Sequence, residues 1–414
     1  MDSTSVGFGT PFDAQIDFFR AKLNLPSAAW DDIRQAAHDR AFIVAGAMKA
    51  DLLNDLHGAV GAALAGQLTY DEFHQEFLGA AQKHGWTGWT GSETERGQAW
   101  RTLTVYRTNM LTSYAAGRYQ QLTTPAFLER YPYWVYHHLD GQEHPRPLHA
   151  SWDGLTLPWD HPFWATHFPP NGWGCHCWVT ATDEAGYQKA LAAGKGEPPA
   201  GWDKINPKTG VQVGIDRGWA YAPGANTDTS LADFIAKKLI NLDSPVGAAM
   251  WQQLAPAIHA ERVAAWNAWL DAILADPVKR RRWAVAGAMD SDTLAWLSGK
   301  ELHPAGAEIT VEDTVVVGAK AERHQRQGNA LTVEEWRSLP MLLRQPEQIL
   351  FDTRSGHLLY VFPSADGRSQ KITVELNFLL SRGKGETNAI VSAFKTPQLS
   401  IDGEISGGFF EVVK

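Results

Sequence analysis

WVYHHLDGQEHPRPLHASWDGLTLPWDHPFWATHFPPNGWGCHCW, residues 134–178, governs how the rest of the chain is read. It holds six of the 18 tryptophans, seven of the 15 histidines and both cysteines. It is too rich in proline and glycine for a long helix. Irregular backbone of this length needs a fastener: aromatic packing, side-chain hydrogen bonds or a metal. The cysteines stand as Cys175-x-Cys177. A disulfide across one residue closes a very small ring, and oxidoreductase pairs are spaced Cys-x-x-Cys, so redox chemistry is the weakest reading. Two readings stay open. The thiols are buried small side chains in a metal-free core, or they are half of a zinc site, since zinc takes tetrahedral Cys and His ligands. The metal reading selects His149, Cys175 and Cys177, with a fourth ligand from His138, His161, His167, His176 or Asp153. Arg146 is expected to form a bidentate pair with Asp153 or Asp160 and so fix the loop.

The bulk numbers set the frame. A chain of 414 residues, 44% hydrophobic and 20% charged, is expected to fold into two or three domains. A net charge of −9 argues against coating nucleic acid through overall charge. The N-terminus lacks the basic start and apolar core of a signal peptide, and no apolar window is long enough to span a membrane. Two cysteines do not make a disulfide framework, which fits a reducing compartment.

The expected fold class is α+β. A mainly helical N-terminal half holds the irregular Trp/His/Cys-rich core, followed by a helical connector and a small α+β C-terminal domain. The boundaries fall at 1–125, 126–226, 227–299 and 300–414. Phe12, Ile16, Phe19 and Leu23 lie at helical spacing, and residues 28–64 read as helix. Thr69-x-x-Glu72 is a capping box, and residues 93–122 return to helix. Ser230 is placed to cap a helix carrying Leu231, Phe234, Ile235 and Leu239. Residues 247–298 read as two or three helices broken at Asp276-Pro277. The basic run KRRRW (279–283) reads as a solvated helix end or as a contact to DNA or an acidic surface. Beyond residue 300 the texture turns to strand: Ile309–Val311, Val315–Val317, His357–Phe362, Lys371–Leu376 and Ala389–Phe394, with a short helix over 332–343.

The ordered run Arg146-Pro147-x-His149, Asp153-Gly154, His161-Pro162-Phe163-Trp164 and Pro169-Pro170-Asn171-Gly172-Trp173-Gly174-Cys175-x-Cys177 resembles the Mu-F-like phage head morphogenesis (minor head protein) family. RTLTVYRTNMLTSYAAGRYQ (101–120) resembles the helix before that block, and GVQVGIDRGWAYAPGAN (210–226) its closing motif, where only loops are expected. The resemblance implies a few-copy minor head protein acting in capsid assembly and DNA packaging. It implies the portal protein, a major capsid or scaffolding protein and phage DNA as partners. The implied location is the virion, in the head interior or at the portal vertex, and the host cytoplasm during assembly.

Residues 300–400 resemble a phage-encoded family of barnase/EndoU/colicin/RelE-like nuclease domains. The pieces are VVVGAKAERH (315–324), LPMLLRQPEQILFD (339–352), HLLYVF (357–362), KITVELNF (371–378) and NAIVSAFKTP (388–397). Metal-free RNA cleavage needs a base, an acid and a cation for the phosphate. His324 suits the proton transfer and Lys371 the phosphate, with Ser392, Lys395 or Thr396 completing the site. Arg368, Lys371, Arg382, Lys384 and Lys395 are the expected basic patch. The plainer reading makes His324 a surface residue, Lys371 an edge-protecting charge and the domain an inactive binding module. The sharper one makes it a ribonuclease effector delivered with the DNA.

Overall fold

The computed structural model describes residues 12–27, 29, 35–140, 146–227, 230–232, 235, 242–380 and 386–414. The chain is α+β and divides into two compact units, 1–229 and 230–414. Among the described residues, no helix is long and apolar enough to cross a membrane.

The first unit begins with helix α1 (Asp13–Arg20), which buries Ile16, Phe18 and Phe19. Leu23 leaves that helix: strand β1 (Leu23–Asn24) pairs in parallel with β2 (Ala41–Phe42). The expected helix over 28–64 is therefore confined to α2 (Ala50–Leu64). Residues 28 and 30–34 lie outside the described set. Gly46, at φ 84°, turns the chain between β2 and α2 with backbone that a side chain disfavours. Helix α3 (Tyr70–Lys83) starts on the expected capping box. Thr69 accepts from the Glu72 amide while Glu72 accepts from the Thr69 amide. Helix α4 (Glu95–Leu122) follows, as the sequence predicts. Phe73, Phe77, Leu52, Leu53 and Leu56 form one core with Val105 and Met110 of α4.

After α5 (Pro125–Arg130) comes a small antiparallel sheet, in the order β4 (Thr156–Pro158), β3 (Tyr133–His137), β5 (Trp178–Thr182). Two short helices interrupt the tryptophan-rich stretch, α6 (Pro147–Ser151) and α7 (Trp164–His167). A second core is built here from Trp134, Tyr136, Trp152, Phe163, Trp164 and Phe168, and it includes both cysteines.

The second unit is built on a seven-stranded sheet in the order β12 (Phe410–Val412), β8 (Gln348–Asp352), β9 (His357–Pro363), β10 (Ser369–Leu379), β11 (Glu386–Thr396), β7 (Glu308–Glu312), β6 (Trp283–Ala288). Only β11 and β7 run parallel. Strand β9 carries five consecutive buried residues, Leu358 to Phe362, because neighbours cover both of its faces. The KITVEL alternation holds through Ile372 and Val374. It fails at Leu376, which is half-buried, because the register shifts between Glu375 and Phe378 around Asn377 at φ 53°.

Two expectations are corrected here. The connector is not wholly helical. Helices Ser244–Leu254 and His259–Ala275 stop at Asp276-Pro277 as expected, but WAVAGA (283–288) is a strand whose amides and carbonyls pair with β7. The residues from 230 to 299 thus share one unit and one sheet with 300–414. Val315–Val317 is not strand but the end of a short helix, Asp313–Val317. The chain turns at Asp313, whose carboxylate accepts from the Arg280 and Arg282 amides, and that turn overrides the strand preference of valine. In KRRRW, Arg280 pairs with Asp276, Arg281 with Glu312 and Arg282 with Asp313, so these cations serve the unit's own acids. Of the helix expected after Ser230, Phe234 and Leu239 lie outside the described residues.

Glu308 in β7 is buried, and its carboxylate oxygens make no hydrogen bond of full geometry among the described residues, with the Thr387 side chain only weakly engaged. Burial raises its pKa above the ordinary 4.5. Well below pH 4.5 the group is protonated in folded and unfolded chain alike. As pH rises, the unfolded chain ionises first, so stability is lost until the folded carboxyl also ionises. Glu308→Gln should therefore be more stable than the parent at pH 7, by roughly 1 kcal/mol, and equal to it near pH 4. Urea melts of both chains at the two pH values measure this.

Candidate metal centre

The site is assembled from three stretches: the end of β3, helix α6 and the loop before β5. Pro147 opens α6, where its missing N–H costs nothing, and sets His149 on the helix's buried side. The His149 ring stacks on Trp152, centroids 5.0 Å apart and planes within 18°. Trp152 in turn meets Tyr136 edge-on at 5.6 Å and Phe163 at 5.9 Å. The imidazole is thereby held on one side by aromatic rings.

His149 Nε2 lies 2.8 Å from the Gly214 carbonyl. A carbonyl only accepts, so Nε2 carries the proton and Nδ1 of the neutral ring presents a lone pair. That Nδ1 faces two sulfurs, Cys175 Sγ at 3.5 Å and Cys177 Sγ at 3.6 Å. His149, Cys175 and Cys177 are all buried, and their ligand atoms lie within 4.8 Å of one another. The sequence-selected trio is therefore one cluster. The Cys175 thiol is held well below the ordinary thiol range, first by the hydrogen bond from the Cys177 thiol. Cys177 is pushed up, first by the hydrogen bond it makes to Cys175, then by burial and by the neighbouring charge.

Of the five candidates for a fourth ligand, His138 is the one that approaches a thiol among the described residues: its Nδ1 is 3.4 Å from Cys177 Sγ. His161 Nδ1 accepts from the Phe163 amide. His167 is buried against Phe163, Trp152 and Trp202, and burial lowers its pKa to about 4. Asp153 accepts from the His138 amide and so positions that residue without reaching the sulfurs itself. His176 is half-buried, and its side chain is not part of the cluster.

Arg146 does not pair with Asp153 or Asp160. Its guanidinium meets Asp216 in a two-pronged pair, Nη1 to Oδ1 at 3.1 Å and Nη2 to Oδ2 at 2.9 Å. The same carboxylate accepts from the Trp173 amide at 3.0 Å, and Arg146 donates to the Trp173 carbonyl at 2.9 Å. The Asp216 carboxylate raises the Arg146 pKa. Two glycines permit this closeness. A Cβ on Gly172 would collide with both the Asp216 carboxylate and the Arg146 guanidinium. A Cβ on Gly214, at φ 92°, would lie 2.7 Å from the Trp152 ring. Sequence reasoning assigned residues 210–226 only loop structure and so missed Gly214 and Asp216. The available signal was the GVQVGIDRGW run itself, an acid between glycines.

In the second unit, Lys371 is paired directly with Phe394, Thr373 with Ser392 and Ser369 with Thr396. Lys371, Ser392 and Thr396 therefore share one face of the sheet. His324 is no surface residue. It is buried, its ring stacked on Phe394 at 4.7 Å and its Nδ1 3.1 Å from Asn329 Oδ1. Burial lowers its pKa. The Lys371 ammonium sits over the same Phe394 ring at 4.8 Å. Of the expected basic patch, two members are paired with acids: Asp366 pairs with Arg368 and with Lys395, and Lys395 also meets Glu335. Arg382 and Lys384 lie outside the described residues.

Fold and site together define an α+β protein whose N-terminal unit packs a His/Cys/Cys cluster into an aromatic core. Residues 75–180 match the family described as Phage Mu protein F like protein. The chain is 29% identical over 435 aligned positions to "Putative capsid assembly protein F" of Escherichia phage Mu, covering 96% of this chain and 94% of that protein. It is 26% identical to "Mu-like prophage FluMu F protein" of Haemophilus influenzae, covering 93% of this chain and 98% of that one. No solved structure matches.

Asp216→Ala removes the acceptor for Arg146 and for the Trp173 amide together. It should destabilise the first unit by roughly 1.5–3 kcal/mol. Chemical denaturation followed by tryptophan fluorescence measures the loss, and a change under 0.5 kcal/mol would show that the pair carries no such weight.

Proposed function

We propose that this chain is a phage head-morphogenesis protein that acts in capsid assembly. The observation that carries the reading is similarity running nearly end to end with a protein named for capsid assembly. The family match over the stretch holding His138, His149, Cys175 and Cys177 supports it. In its finer form the reading makes the chain a minor head protein at the portal vertex or inside the head, meeting the portal and a major capsid or scaffolding protein and supporting DNA packaging. The test is deletion of its gene from the phage or prophage that encodes it, with electron microscopy of lysates and mass spectrometry of purified parental heads. The expected result is aberrant or empty heads without the gene, and a few copies of the chain per parental head. Normal DNA-filled heads in the deletion would overturn the reading.

A second activity, ribonuclease chemistry in the second unit, is favoured by the shared face of Lys371, Ser392 and Thr396 beside buried His324. Against it stands the pairing of Arg368 and Lys395 with Asp366. Incubating the full chain with RNA in EDTA, beside His324→Ala, decides. Cleavage by the parent alone supports the enzyme. Absence of cleavage by folded parent leaves a binding module.

A further inference from the structure

We propose that His149, Cys175, Cys177 and His138 form a closed structural zinc site that fastens the irregular stretch of the first unit. The argument is geometric. Zinc holds thiolate sulfur at about 2.3 Å and imidazole nitrogen at about 2.0–2.1 Å, so at a tetrahedral angle a sulfur and a nitrogen sharing it stand about 3.5 Å apart. The three nitrogen–sulfur distances here are 3.5 Å, 3.6 Å and 3.4 Å.

A hydrogen-bonded thiol pair could give one such distance, but it does not account for the set. His149 Nδ1 has a single lone pair, because Nε2 is committed to donating to the Gly214 carbonyl. One lone pair accepts one thiol proton well, yet two sulfurs face it at nearly equal range. A cation at the centre satisfies both sulfurs and the nitrogen at once. Cys-rich, His-containing, fully protein-lined sites of this kind select zinc and hold it without an open position.

The surrounding groups also fit. A metal-bound imidazole commonly donates its other N–H to a carbonyl or carboxylate. His149 does so to Gly214, and His138 Nε2 faces the Asp140 carboxylate at 3.9 Å. The His138 amide donates to Asp153, so its backbone is fixed next to the cluster. His149, Cys175 and Cys177 form the compact trio; His138 lies outside it, in contact with Cys177, and would have to turn toward Cys175 and His149 to supply the fourth ligand.

The test uses the full chain, purified without added chelator and assayed for metal by mass spectrometry. One zinc per chain is expected, and none in Cys175→Ser/Cys177→Ser. Metal-free chain reloaded with cobalt(II) should show a thiolate-to-cobalt charge-transfer band and tetrahedral d–d bands. His138→Ala should keep the charge-transfer band and lose at least tenfold in zinc affinity. Far-UV circular dichroism and the cobalt spectrum of the parent guard against a variant that merely misfolds. Parent chain that takes up no zinc, or cobalt bound without the charge-transfer band, overturns the site. Unchanged affinity in His138→Ala overturns the fourth ligand.

Discussion

The hydrogen bond from His149 Nε2 to the Gly214 carbonyl is the constraint on which the first unit's architecture turns. It joins two stretches that have little regular structure of their own, and it sets which imidazole nitrogen faces the thiols. Arg146 and Asp216 repeat the junction nearby, one carboxylate accepting from a guanidinium and from the Trp173 amide. Irregular backbone is stable only when its polar groups find partners. Here residues 210–226 supply them to the loop that carries the cysteines. The glycines at 172 and 214 are required because these contacts leave no room for a Cβ.

Aromatic packing gives the junction its surroundings. Trp152 touches His149 on its face and Tyr136 and Phe163 at right angles, while Trp134 does the same for Tyr119 and Phe168. Edge-to-face contacts use the opposite charge of ring edge and ring face, so each ring orients the next. The tryptophan density of the stretch is thus a packing device. It holds His149 in one orientation, and the chemistry of the cluster depends on that orientation.

Much of this was legible in the sequence. The Thr69 capping box, helix α4 and the alternation of Ile372 and Val374 rest on short-range patterns with one physical meaning, and the trio His149, Cys175, Cys177 on ligand chemistry within one stretch. The misses have a common cause, which is that the deciding partner lies far along the chain. Arg146 chose Asp216, 70 residues away, over nearer acids. WAVAGA became strand because β7 offered it a ladder, although alanine-rich sequence next to helices reads as helix. Val315–Val317 gave up strand preference to a turn fixed by Asp313. His324 read as exposed in a polar run, and Phe394 covers it.

The similarity to the phage Mu protein bears on the second unit as well. It covers 96% of this chain, so it extends well beyond residues 75–180, where the family match lies, and into the seven-stranded sheet. That sheet also takes in β6 from the segment before residue 300, whose edge would be exposed if the rest were an independent graft. Residues 300–414 therefore share a sheet with the segment that precedes them. Any role assigned to His324, Lys371 and the face they share has to suit a chain whose two units are matched together in a protein named for capsid assembly. Arg280, Arg281, Arg282, Arg368 and Lys395 are each paired with acids of the same unit, so the charge of these five is met within the fold.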